Sequence, residues 1–147
     1  MPFLTPNTRF ILSLNCIMLL AATQGCASKI STATIRPLES AQLAKWLNNP
    51  PKKGILLIDA RKQEDFNESH ISSARNLNLP DVNPARSNTR WIGYAAIVIY
   101  GQDPGSIRAE ALTKRFMRLD AAPVYLLQGG FDEWQRKDMP TYNAANK

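Results

Sequence analysis

The stretch AIVIYGQDPGSIRAEALTKRF, Ala96 to Phe116, sets the architecture of this chain. It opens on a continuous apolar run, the pattern of a strand buried on both faces. GQDPGS follows with turn-forming residues. Ala109, Leu112, Phe116 and, beyond the stretch, Leu119 then recur at helical spacing, with Glu110 and Lys114 as an i,i+4 ion pair on the opposite face. Strand, glycine-containing loop and amphipathic helix form one βα unit of the kind that holds a reactive group or an anion at a helix N-terminus.

The same alternation extends in both directions. GILLIDA, Gly54–Ala60, is a second apolar run, and it closes on Asp59. APVYLLQ, Ala122–Gln128, is a third, followed by Gly129, Gly130 and a helix that packs Phe131 and Trp134. Upstream, PLESAQLAKWLNN places Leu43, Trp46 and Leu47 on one helical face and is stopped by Pro50 and Pro51. RKQEDFNESH, Arg61–His70, reads as a short helix or turn, ARNLNL as an edge strand and PDVNPARSNTRWIGY as a loop. SKISTATI, Ser28–Ile35, reads as a tether ending in a short strand, and Pro140 as the end of the domain. The expected fold class is α/β, a parallel sheet covered by helices on both faces. In such a sheet ligands sit outside the carboxyl ends of the strands. Asp59, Gly101 and Gly129 each stand just after a buried run, so all three are expected at one sheet edge. They either mark a site there or simply make turns.

Composition narrows the function classes. The chain has 147 residues, 44% hydrophobic and 20% charged, which suits one globular domain. Its formal charge of +6 is dispersed, with no basic run, so a nucleic-acid partner is not expected. At the N-terminus Arg9 precedes an apolar run from Phe10 to Ala22. That run is shorter than the ~20 residues that span a bilayer and has the length of a signal-peptide core. LLAATQGCAS resembles the lipobox of bacterial lipoproteins, which implies cleavage after Gly25 and lipidation of Cys26. The alternative is ordinary cleavage after Ala27. Residues 1–25 are thus expected as signal peptide, 26–33 as tether, 34–140 as the domain and 141–147 as a C-terminal tail. The expected location is the bacterial cell envelope, at the periplasmic face. With no cysteine after Cys26 and His70 as the sole histidine, a Cys/His metal site is excluded. No cofactor is implied.

LLIDARKQEDFNESHISSARNL resembles the rhodanese-like domain family: Asp59, Arg61, Phe66, His70, Ile71, Ala74 and Asn76 fill its pattern, with Ser69 where glycine is usual. VYLLQGGFDEWQRKDMP resembles the closing motif of that family through Gly129, Gly130, Trp134 and Pro140. The resemblance runs from Thr34 to Pro140 and implies a five-stranded parallel sheet between helices. In active members, it further implies, the middle strand ends in a tyrosine-cysteine pair whose cysteine carries a persulfide within a loop of backbone amides. Here Gly101 follows Tyr100 in place of that cysteine.

Sulfur transfer requires a thiolate, which glycine does not supply. Ser106 has no paired base, since His70 belongs to a motif whose role reads as structural. Asp59 and Arg61 likewise read as a locally satisfied pair. What remains is the loop Gly101, Gln102, Asp103, Gly105, Ser106 and Arg108, whose amides suit an anion or a protein partner. Asp103 followed by Pro104 reads as a helix cap that fills the loop with its own carboxylate, and Ser106 as the alternative cap that leaves it open. The function expected is an exported, lipid-anchored, non-catalytic module that binds a protein or a small anion. The alternative is a sulfurtransferase working without cysteine.

Overall fold

A computed structural model describes residue 31 and residues 34–83 and 89–143. The apolar segment 10–22, Cys26 and the end of the tail, 144–147, lie outside the described residues. The chain runs through β1 (Arg36–Leu38), α1 (Ser40–Asn48), β2 (Ile55–Asp59), α2 (Gln63–Glu68), β3 (Ser69–Ile71) and β4 (Arg75–Asn76). It continues through β5 (Ala96–Tyr100), α3 (Ile107–Met117), β6 (Val124–Leu127), α4 (Gly130–Arg136) and β7 (Thr141–Asn143).

Five strands form one sheet in the order β1-β6-β5-β2-β4, every pair parallel. The three apolar runs are its interior: β5 pairs β2 from Ile55↔Ala96 to Asp59↔Tyr100, and pairs β6 from Ile97↔Val124 to Ile99↔Leu126. Alternate residues go to opposite faces. Leu56, Ile58, Ile97 and Ile99 pack with Ala109, Leu112 and Phe116 of α3. Leu57, Val98 and Tyr100 pack with Leu43 of α1 and with Phe131 and Trp134 of α4. Both faces are therefore covered, which is why these strands read as continuous apolar runs.

Two features depart from the sequence reading. The first strand lies at Arg36–Leu38, just after the segment expected to hold it. Pro37 is tolerated there because β1 is an edge strand. At the other end the fold continues past Pro140. Thr141–Asn143 forms β7 and pairs antiparallel with β3, with Tyr142 opposite His70, so the expected tail begins as a strand. The His70 ring stacks on Phe66 at 3.8 Å and lies 4.9 Å from Tyr142. Its Nδ1 sits 2.8 Å from the Phe66 carbonyl. An aromatic clip, rather than periodicity, holds this small sheet.

These packings set different stakes. Phe116 is fully buried and meets Trp91 edge-on at 5.2 Å. Phe116→Ala is expected to lower stability by about 3–5 kcal/mol, whereas Tyr142→Ala should cost at most about 1 kcal/mol. Urea unfolding of the two variants checks the order.

Candidate functional site at the carboxyl edge of the sheet

Because the strands are parallel, Asp59, Gly101 and Gly129 do reach one edge, at the ends of β2, β5 and β6. The anchor of that edge is Asp59, which is completely buried, with Arg61, 6% exposed. Asp59 Oδ1 accepts the Arg61 backbone N–H at 2.8 Å and Nε at 3.1 Å, while Oδ2 accepts Nη2 at 2.8 Å. Nη2 also donates to the Ser69 carbonyl at 2.5 Å and Nη1 to Gln102 Oε1 at 3.1 Å. The guanidinium plane stacks 3.8 Å over Phe131. Asn76 closes the turn by donating to the carbonyls of Asp59 and Arg61.

Tyr100 ends β5 beneath this pair. Its hydroxyl accepts the Ile71 N–H at 3.1 Å and bonds the Asp59 carboxylate. Burial, and next the adjacent Asp59 charge, pushes the phenol well above its ordinary value. Across the edge, Glu133 of α4 accepts Ser40 Oγ at 3.1 Å and pairs with Lys137. Those hydrogen bonds, Lys137 first, hold its carboxyl below its usual value.

The loop after β5 is fixed by α4 as well as by Arg61. Phe131 N–H donates to the Gly101 carbonyl and Asp132 N–H to the Gln102 carbonyl, both at 2.9 Å. Gln102 Nε2 bonds the Asp132 carboxylate. Gly130 adopts φ +63°, and a Cβ there would stand 2.7 Å from the Gln102 carbonyl oxygen. Only glycine permits this approach.

Asp103 is not the helix cap. Its Oδ1 accepts the Gly105 N–H at 2.8 Å and its carbonyl the Ser106 N–H at 3.3 Å. Asp-Pro-Gly thus closes a turn, with proline and glycine in the positions that turns favour, and α3 starts only at Ile107. Ser106 is the cap, its Oγ accepting from Ala109 N–H at 3.5 Å. Nor does that cap leave the loop open. A Cβ built on Gly101 would lie 2.1 Å from Ser106 Oγ and 2.2 Å from its Cβ, so the serine side chain occupies the space that a side chain at 101 needs.

Beside the loop opens a cleft of about 440 Å³ lined by Arg61, Asp65, Glu68, Gln102, Phe131 and Gln135. Arg108 does not join it. It is exposed and lines a separate apolar cleft with Leu77, Leu79 and Leu112. Trp134 is structural: it is buried and donates from Nε1 to the Pro140 carbonyl. The sequence reading missed Phe131, Asp132 and the Ser69 carbonyl as partners of the site; the adjacent Gly129-Gly130 pair was the available signal. Among the described residues no cluster of histidine, cysteine, aspartate and glutamate is arranged to hold a metal.

The rhodanese-like domain model matches residues 40–137. The chain belongs to the rhodanese-like domain family. Comparison with curated protein sequences returns no match. Solved structures share the fold of this rhodanese-like domain. A protein from Bacillus halodurans aligns at TM-score 0.64 and 20% identity over 74% of this chain and 77% of its own. The rhodanese-like domain of an Anabaena protein aligns at 0.60 and 20% over 76% and 81%. Thiosulfate sulfurtransferase from Pseudomonas aeruginosa aligns at 0.59 and 21%, over 74% of this chain but 19% of that longer protein.

The Tyr100 environment generates a pH prediction. An unfolded tyrosine releases its proton near pH 10, while folded Tyr100 keeps it to higher pH. The folded state then binds more protons, so stability falls as pH rises above ~10, by about 1.4 kcal/mol per pH unit. Tyr100→Phe should remove that increment of slope while lowering stability at neutral pH by about 1–3 kcal/mol, since Asp59 and the Ile71 amide lose a partner. Urea unfolding of both proteins between neutral and strongly alkaline pH measures the difference.

Proposed function

We propose that this rhodanese-like domain is a non-catalytic, exported and lipid-anchored module that binds a protein partner at the carboxyl edge of its sheet. The observation carrying the proposal is Gly101 at the end of β5, with Ser106 filling the space that a nucleophile's side chain would use. There is no cysteine after Cys26, hence no thiolate in the domain. A small anion suits the loop poorly. Asp103 already accepts the amides of Gly105 and Ser106, and the cleft beside it is rimmed by Asp65 and Glu68. Export and anchoring rest on the apolar run Phe10–Ala22 and on the lipobox resemblance at Cys26.

The cleft offers a partner a rigid floor, Arg61 stacked on Phe131, with amide and carboxylate groups around it. Rigid polar groups over a buried base favour specific recognition with little ordering cost.

Thiosulfate:cyanide sulfur transfer tests the proposal. The native protein should show no turnover, and turnover would overturn the non-catalytic reading. Gly101→Cys alone should stay inactive and lose about 1–3 kcal/mol through overpacking against Ser106. Adding Ser106→Gly should recover part of that stability and leave the new thiol titratable by a disulfide reagent.

A further inference from the structure

The two edges of the parallel sheet differ in charge. Segments leading into strands gather at the amino edge and those leaving them at the carboxyl edge, because every strand of the sheet runs the same way. At the amino edge lie Arg36 at the start of β1, Lys45 in the last turn of α1, Lys52 and Lys53 before β2, Arg90 before β5 and Arg118 after α3. All are exposed, and among the described residues Asp81 and Asp120 are the exposed carboxylates in the same connections. The ion pairs of the described residues involve Arg61, Lys114 and Lys137, none of these cations. The carboxyl edge leans the other way: exposed Glu39, Glu64, Asp65, Glu68 and Asp103 outnumber exposed Lys62 and Arg108, and Asp65 and Glu68 line the cleft itself.

The amino edge also presents apolar and aromatic groups. Ile92, in the turn before β5, is 63% exposed. Half-buried Trp46 and Tyr125 meet edge-on at 5.4 Å and line a cleft of about 300 Å³ with Pro51 and Ile55. The chain joins the sheet at this same edge, through Arg36.

We infer that this amino edge is a docking surface for an anionic lipid bilayer. Lysine and arginine side chains within a Debye length of such a surface are attracted by its negative potential. Tryptophan, tyrosine and an exposed isoleucine suit the headgroup boundary, where one end of a side chain is apolar and the other wet. The acidic carboxyl edge is repelled by the same surface. Docking therefore turns the Arg61–Gln102 cleft toward the aqueous side. The inference deepens the proposed membrane attachment and rests on it for the identity of the surface. The charge pattern itself stands on the fold.

The test uses the full chain carrying Cys26→Ser, which has no lipid, with vesicles of phosphatidylcholine alone and vesicles containing phosphatidylglycerol. Lys45→Gln/Lys52→Gln/Lys53→Gln in the same background keeps Arg9 and the N-terminal apolar run, so its loss relative to Cys26→Ser alone isolates the amino edge. Sedimentation should show a preference for phosphatidylglycerol that disappears at about 1 M salt, where the screening length falls to ~3 Å. Each neutralised cation should weaken partitioning about fivefold, so Lys45→Gln/Lys52→Gln/Lys53→Gln should lose about a hundredfold. Lys62→Gln, at the opposite edge, should leave it unchanged. Equal binding to both vesicles, an unaffected triple variant, or an equal loss from Lys62→Gln would overturn the inference. Tighter binding to duplex DNA than to the phosphatidylglycerol vesicles would also overturn it. Incorporation of labelled palmitate into the native chain, absent from Cys26→Ser, reads the anchor separately.

Discussion

Much of the carboxyl edge depends on the burial of the Asp59–Arg61 pair. Removing two charges from water costs several kcal/mol per ion unless each is fully coordinated. Here Asp59 takes backbone and guanidinium donors, and Arg61 also donates from Nη2 to the Ser69 carbonyl and from Nη1 to the Gln102 side chain. Among the described residues no buried side-chain nitrogen or oxygen is left without a partner. The pair therefore acts less as a source of stability than as a geometric constraint. It fixes β2 against β3, the loop after β5 and the ring of Phe131 in one arrangement.

That constraint explains how a loop without a nucleophile stays ordered. Local bonds hold Gly101–Ser106 in shape. The Asp103 turn closes it from within, Ser106 caps α3, and the amides of Phe131 and Asp132 hold its carbonyls. The charge separation between the sheet edges adds a direction, giving the molecule a basic base and an acidic crown.

The sheet was legible because its central strands are buried on both faces and so leave unbroken apolar runs in the chain. The convergence of Asp59, Gly101 and Gly129 followed from parallel topology alone. The small sheet was not legible, since β3 and β7 have three residues each and are held by the His70 clip rather than by any period. The cap was misread because aspartate before proline serves helix starts and turns alike, and Gly105 decides for the turn. Arg108 was expected near the loop because it is close in sequence. The cation that faces the cleft is Arg61, 41 positions before Gln102, which no local pattern reveals.

The overlap between position 101 and Ser106 also bears on which substitutions this loop accepts. In a lineage with this loop, a substitution that introduces a cysteine at position 101 meets a serine side chain already in its space. Trimming the serine first gives up a helix cap, at about 1 kcal/mol for loss of its hydroxyl. Either order passes through a less stable intermediate, so the present loop works as a ratchet. Position 101 and position 106 are therefore coupled, and a side chain at one constrains the residue allowed at the other.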